Sequence, residues 1–137
     1  HIIVMVQKEV AEKFTAKVTD KDYSSLSIIT ESMSVDSRIL FDVPPESFDP
    51  PPKIISSILY IKKDMNKSLD RNFNKFLKAC FVQPRKKLSK NLTSVLSKEN
   101  ISELYKELNI NDNVRPHEVS SSLYSQMHTR VIHGRNK

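Results

Sequence analysis

Two stretches hold side chains whose types and spacing suit chemistry. In VPPESFDPPPK, residues 43–53, five of the chain's seven prolines surround one aromatic, Phe48. Proline fixes φ near about −65°, so an aromatic on such a mount is ordered before a ligand arrives, and a planar ligand such as a nucleobase would stack on it at small entropic cost. A phenylalanine beneath a loop can equally plug a core. The second stretch is QPRKKLSK, residues 83–90, where Arg85, Lys86, Lys87 and Lys90 gather at a proline-enforced junction between two helices. Phosphate suits that cluster, because a helix start adds N–H groups and dipole to the side-chain charge.

Other candidate chemistry is weaker. Cys80 falls on the apolar stripe of its helix, where a cysteine is a packing residue rather than a nucleophile. His1, His117, His128 and His133 lack the i, i+4 spacing of a helical metal pair and read as surface or cap residues. Glu9 and Glu12 lie on the outward side of an amphipathic segment, as solvated carboxylates do. A lone cysteine allows no internal disulfide and no cysteine-based zinc site, which fits a reducing compartment. The one glycine, Gly134, leaves no glycine-rich loop of the kind that cradles nucleotide phosphates.

Charge is unevenly spread over the 137 residues. Residues 1–60 carry six Lys/Arg against nine Asp/Glu, and residues 61–137 carry sixteen against seven, so the second half supplies the net charge of +6. Within 62–90 the balance is ten basic to two acidic, a density that fits a polyanionic partner, nucleic acid above all, or else a solubilising face. No apolar run approaches the roughly 20 residues of a membrane helix, and HIIVMV has neither basic lead-in nor cleavage site, so a cytoplasmic location is expected.

The elements that must position these residues change character near residue 65. Ile2, Ile3, Val4 and Val6 read as a strand buried on both faces of a mainly parallel sheet, followed by a helix with Val10 and Phe14 inward. TDKDYSS is a loop, with Ser24 as a cap for a segment carrying Leu26, Ile29 and Met33 at helical spacing. SRILFDV, with Ile39, Phe41 and Val43 on one side, and IISSILYI read as strands flanking the proline loop. Beyond it the periodicity is helical. Phe73, Phe76, Leu77, Cys80 and Phe81 form one stripe, with Arg71, Lys75 and Lys78 opposite. Leu88, Leu92, Val95 and Leu96 form a second stripe, with Lys86, Lys87 and Lys90 outward. Ile101, Leu104, Tyr105 and Leu108 form a third, and a last helix runs through Leu123, Met127 and Val131 to Gly134 as its C-cap. The expected division is 1–66 as the tail of an α/β sheet and 67–137 as a small all-helical domain.

MVQKEVAEKF (5–14), VPPESFDPPPKIISSI (43–58), FLKACFVQPRKKLSKNL (76–92) and RPHEVS (115–120) together resemble the second half of the rRNA adenine N6,N6-dimethyltransferases, in order and along the whole chain. The resemblance is to the branch acting on two adjacent adenines of small-subunit (16S) rRNA. It implies the final strands and helices of a doubly wound S-adenosylmethionine methyltransferase sheet with an antiparallel strand at its end, then a helical rRNA-binding domain. The glycine-rich cofactor loop and the Asn-Leu-Pro-Tyr motif of such enzymes precede the region matching His1, so the cofactor is expected to be bound by an N-terminal half outside this sequence, and this portion alone to be inactive. The family's loop aromatic stacks on the flipped target adenine, a role that maps onto Phe48. Its basic Arg-Arg-Lys turn, which grips rRNA, maps onto Pro84, Arg85 and Lys86. Pro84 departs from that pattern and leaves Lys87 and Lys90 as candidates for the missing contact. The implied partner is small-subunit rRNA in a pre-ribosomal particle, met by a monomeric enzyme. A large-subunit methyltransferase of the macrolide-resistance type shares the proline loop, but RPHEVS and the helical tail favour the small-subunit branch. A non-catalytic assembly or transcription factor on the same fold is the alternative from another class.

Overall fold

The computed structural model describes residues 1–50, 53–68 and 70–135, with the side chains of 133–135 left aside. Its elements are β1 (Ile2–Gln7), α1 (Lys8–Thr15), α2 (Ser25–Met33), β2 (Ser34–Val43), β3 (Ser56–Lys63), α3 (Arg71–Cys80), α4 (Leu88–Leu92), α5 (Lys98–Leu108) and α6 (Ser121–Arg135), with 3-10 turns at Pro45–Ser47 and Pro116–Glu118.

The three strands form one sheet in the order β1-β3-β2, with β3 antiparallel to both neighbours. β1 and β2 therefore run in the same direction, and both end opposite the same residue: Gln7 and Val43 each pair with Ser56. Leu59 and Ser57 are buried on the face toward α1 and α2, and Ser57 there donates its hydroxyl to Asp42 (2.7 Å), which also pairs with Lys8 at the start of α1 (3.0 Å).

Two strand expectations change. β1 pairs antiparallel rather than within a parallel array, and Ile2, Ile3, Val4 and Met5 are exposed, Ile3 by 63%. Ile39, Phe41 and Val43 do not share a side. Ile39 pairs with Leu59 and Phe41 with Ile58, so a bulge at Leu40 shifts the register by one residue and sends Phe41 to the opposite face, where it is 58% exposed.

The helical stripe of α3 is as expected: Phe76, Leu77 and Cys80 are buried, and Asp70 caps the helix by accepting from the N–H groups of Asn72 (2.9 Å) and Phe73 (3.2 Å). Ser24 occupies the N-cap of α2, with its N–H donating to the Ser27 hydroxyl (3.1 Å). α4 is shorter than its stripe predicts. It ends at Leu92 because the hydroxyls of Thr93 and Ser94 bond back to the carbonyls of Lys90 and Asn91 (2.7 and 3.2 Å), leaving Val95 and Leu96 half-buried in a turn. α6 runs through Gly134 to Arg135, so that glycine is inside the helix rather than beyond its end.

One buried cluster joins the helices to the earlier segments. Leu77, Cys80, Leu88, Leu92, Leu104, Tyr124 and Met127 pack with Ala16, Tyr23 and Ile28. RPHEVS is the seam: Pro116 and Val119 are buried, the carbonyl of Pro116 accepts from the Tyr124 hydroxyl (2.6 Å), and that of His117 accepts from the N–H of Thr19 (2.8 Å). His128 is not a surface residue. It lies on the inner stripe Tyr124, Met127, His128, Val131, with its ring 5.3 Å from Phe73 and 5.4 Å from Phe76. Cys80 is fully buried, and burial pushes its thiol up to about 12, so it is a neutral packing group at physiological pH.

Candidate nucleic-acid interface

Phe48 sits in the loop joining β2 to β3. A single 3-10 turn, Pro45–Ser47, lifts the chain off the end of β2, with the N–H of Ser47 bonded to the carbonyl of Pro44 (3.0 Å) and that of Phe48 to Pro45 (3.2 Å). Proline at positions 44 and 45 removes two donors that this tight turn has no use for, and Pro50 follows through a cis peptide. Pro51 and Pro52, the rest of the expected mount, lie outside the described residues.

The register fixes where this loop stands. It rises from the common carboxyl ends of β1 and β2, the edge of an α/β sheet at which ligands characteristically bind. Phe48 is half-buried and belongs neither to the main buried cluster nor to the hydrophobic side chains packed against it. It is thus neither fully buried nor part of the main core.

The basic residues form a separate group. Arg85, Lys86 and Lys87 are exposed in the turn between α3 and α4, and Lys90 is exposed on α4. None of the four is in an ion pair among the described residues. Ion pairs do form elsewhere, between Lys8 and Asp42 and between Arg130 and Glu107. The helix start adds less than the sequence implies. α4 has five residues, and its first N–H, at Leu88, already bonds the carbonyl of Val114 (2.8 Å). Attraction for phosphate at this turn therefore comes from the side chains.

Asn91 holds the turn in shape, and the sequence reading passed it over. It is 7% exposed. Its Oδ1 accepts from the N–H of Gln83 (2.8 Å), and its Nδ2 donates to the carbonyls of Gln83 (3.0 Å) and Lys87 (3.1 Å). One amide thus clamps both ends of the segment that carries Arg85 and Lys86. Only the position of a polar residue beside Leu88 and Leu92 on the inner stripe signals this in the sequence. Asn91→Ala removes three hydrogen bonds and leaves the N–H of Gln83 without its acceptor, while the carbonyls of Gln83 and Lys87 keep the N–H groups of Lys86, Lys90 and residue 91, so stability is expected to fall by about 2 kcal/mol. Chemical denaturation checks this, and an unchanged midpoint would remove the clamp.

Among the described residues no group of His, Cys, Asp and Glu is arranged to hold a metal ion, and no helix is long and apolar enough to cross a membrane. The β1–α1 junction offers no phosphate-binding loop: β1 passes into α1 with no intervening residue, and the N–H of Lys8 is bonded to the carbonyl of Ile55 (2.9 Å).

A family model described as ribosomal RNA adenine dimethylase matches residues 1–132. The chain belongs to this family. Among individual dimethylase relatives, the ribosomal RNA small subunit methyltransferase A of Aliarcobacter butzleri is 79% identical over 137 residues, all of this chain and 52% of that protein. The protein of the same name from Sulfurimonas denitrificans is 44% identical, over 93% of this chain and 47% of its own length. The chain spans about half the length of the curated relatives it matches. In three dimensions it is similar to a dimethyladenosine transferase from Plasmodium falciparum, with a TM-score of 0.77, 20% identity and coverage of 91% of this chain and 54% of that one. It also resembles the 23S rRNA methyltransferase ErmE, with a TM-score of 0.62, 15% identity and coverage of 95% and 54%. These two likenesses show the fold: a small sheet with β3 antiparallel to both neighbours, followed by helices, is shared with part of each of these methyltransferase structures.

Proposed function

We propose that this chain is the target-base platform and RNA grip of a small-subunit rRNA adenine N6,N6-dimethyltransferase. The observation that carries the reading is the placement of Phe48, outside the main core on a short turn at the carboxyl ends of β1 and β2. In this reading residues 1–66 complete the catalytic domain and residues 67–137 form the rRNA-binding domain. The methyl donor is S-adenosylmethionine, supplied from outside this chain.

The division of labour follows from energetics. An adenine must leave its stack before its exocyclic amine is accessible, which costs a few kcal/mol. Stacking on an aromatic returns roughly 1 to 3 kcal/mol per base. Phe48 holds the extruded ring flat, so that N6 projects past the edge of the platform toward the reaction centre. Arg85, Lys86, Lys87 and Lys90 neutralise backbone phosphates and supply affinity without reading sequence. The substrate is small-subunit rRNA in a cytoplasmic pre-ribosomal particle, and the enzyme acts as a monomer.

The reading is tested by incubating the complete enzyme with S-adenosylmethionine and a mixture of undermethylated small-subunit and large-subunit particles, then mapping products by mass spectrometry of nuclease digests. Dimethyladenosine at two adjacent adenines is expected. Methylation confined to large-subunit rRNA, or none at all, would overturn it.

A further inference from the structure

The loop that carries Phe48 leaves the sheet at a weak point. β2 is an edge strand, and past the bulge at Leu40 only Phe41, Asp42 and Val43 pair with β3 before Pro44 begins the turn. A slip of one residue there would move the base of the loop by about 3.3 Å and send its side chains to the opposite face. The bonds inside the turn, from Ser47 to Pro44 and from Phe48 to Pro45, hold it to itself and fix nothing about where it stands. Catalysis demands more, since a misplacement of about 1 Å can cost about 100-fold in rate.

Three residues lined up across the sheet secure that point. Lys8 is the first residue after β1, Ser57 lies on the central strand β3, and Asp42 is the pairing partner of Ser57 on β2. Asp42 accepts the Ser57 hydroxyl on one carboxylate oxygen (2.7 Å) and the Lys8 ammonium on the other (3.0 Å), so β2 cannot slip here without losing both. Lys8 also holds the far end of the loop, because its N–H donates to the carbonyl of Ile55, the last residue before β3 (2.9 Å). One residue outside the loop therefore grips its entrance through a side chain and its exit through the backbone. Both charges persist at neutral pH. The Ser57 hydroxyl, and then Lys8, hold the Asp42 carboxyl below its usual range, and the bond to Asp42 holds the Lys8 ammonium above its own.

We propose that Lys8 is a positioning residue for methylation, acting through Asp42 and Ser57 to hold the Phe48 loop in the register at which its ring meets the target base. The inference rests on the platform role proposed above for Phe48. It gives the platform an anchor, since proline stiffens a turn without fixing it to the sheet.

The test is a double-mutant cycle in steady-state methylation of undermethylated small-subunit particles by the complete enzyme, with Lys8→Met, Lys8→Arg, Phe48→Ala and Lys8→Met/Phe48→Ala. Lys8→Met is expected to lower kcat by up to about 5-fold, the most that an ion pair of this exposure biases a local equilibrium, with KM for the particle within about twofold. Lys8→Arg keeps a cation within reach of Asp42 and is expected to retain about half the wild-type rate or more; an arginine as slow as methionine would overturn the proposal. In the Phe48→Ala background Lys8→Met is expected to change kcat by less than about 1.5-fold, because no ring is left to position. A merely structural lysine would lower the rate by the same factor in both backgrounds. If Phe48→Ala is slow while Lys8→Met keeps the full rate or shows that equal factor, the clamp is wrong and the platform stands. If Phe48→Ala is itself as fast as wild type, the platform fails and takes the clamp with it.

Discussion

Replacing Phe48 with alanine in the complete enzyme lowers kcat/KM for adenine methylation by roughly 5- to 150-fold, the equivalent of the 1 to 3 kcal/mol that stacking of one base on an aromatic is worth. Affinity for the rRNA should stay within about twofold, because backbone phosphate contacts supply most of it. Tyrosine or tryptophan at this position should preserve most of the rate, since either offers a flat face. Leucine, of similar bulk and no π-face, should fall between. The aromatic series separates stacking from packing: if leucine performs as well as tyrosine, the side chain only fills space.

The second large effect concerns salt. Converting Arg85, Lys86, Lys87 and Lys90 together to glutamine removes four exposed cations that no carboxylate pairs among the described residues. Each phosphate contact to a single strand contributes about 0.7 to the slope of log affinity against log salt, so the slope should flatten by about 3. Between 50 and 200 mM salt the parent protein should then lose about 60-fold more affinity than the variant. Folding should persist, because the four side chains are exposed and the turn's shape rests on Asn91. An unaltered slope would make this cluster a solvated surface. A collapse of stability with the slope intact would point to the same conclusion.

Much of the helical half is legible in the sequence because helix packing obeys a local rule. The spacing of Phe73, Phe76, Leu77, Cys80 and Phe81 marks a buried stripe whatever else the chain does, and that stripe is the one found. The sheet is less legible, since pairing partners are remote in sequence. Nothing local in SRILFDV announces that a bulge at Leu40 turns Phe41 away from Ile39. The apolar run of β1 reads as a doubly covered strand, yet among the described residues its side chains are exposed. The end of α4 was missed for another reason. The apolar period continues through Val95 and Leu96, but the hydroxyls of Thr93 and Ser94 offer the backbone a local alternative that ends the helix first.

The candidate site divides in the same way. Phe48 and the basic cluster stand out by composition, which a single sequence displays. Asn91 does not, because its significance is relational: an amide that meets backbone groups eight residues away. His128 shows the limit from the other side. Its spacing with Tyr124, Met127 and Val131 is visible, but the aromatic pair that accepts its ring comes from α3.

The most direct test of the Phe48 platform is a photo-crosslink from the target base. An rRNA particle carrying 8-azidoadenine at one of the two target adenines would be bound to the complete enzyme, irradiated and digested with trypsin. Cleavage after Arg38 and Lys53 releases the segment Ile39–Lys53 in one piece. The account predicts that the adduct maps to this peptide, at Phe48 or its immediate neighbours, and that it disappears in the Phe48→Ala variant. An adduct carried wholly by peptides of the helical half, with Ile39–Lys53 unlabelled, would contradict it.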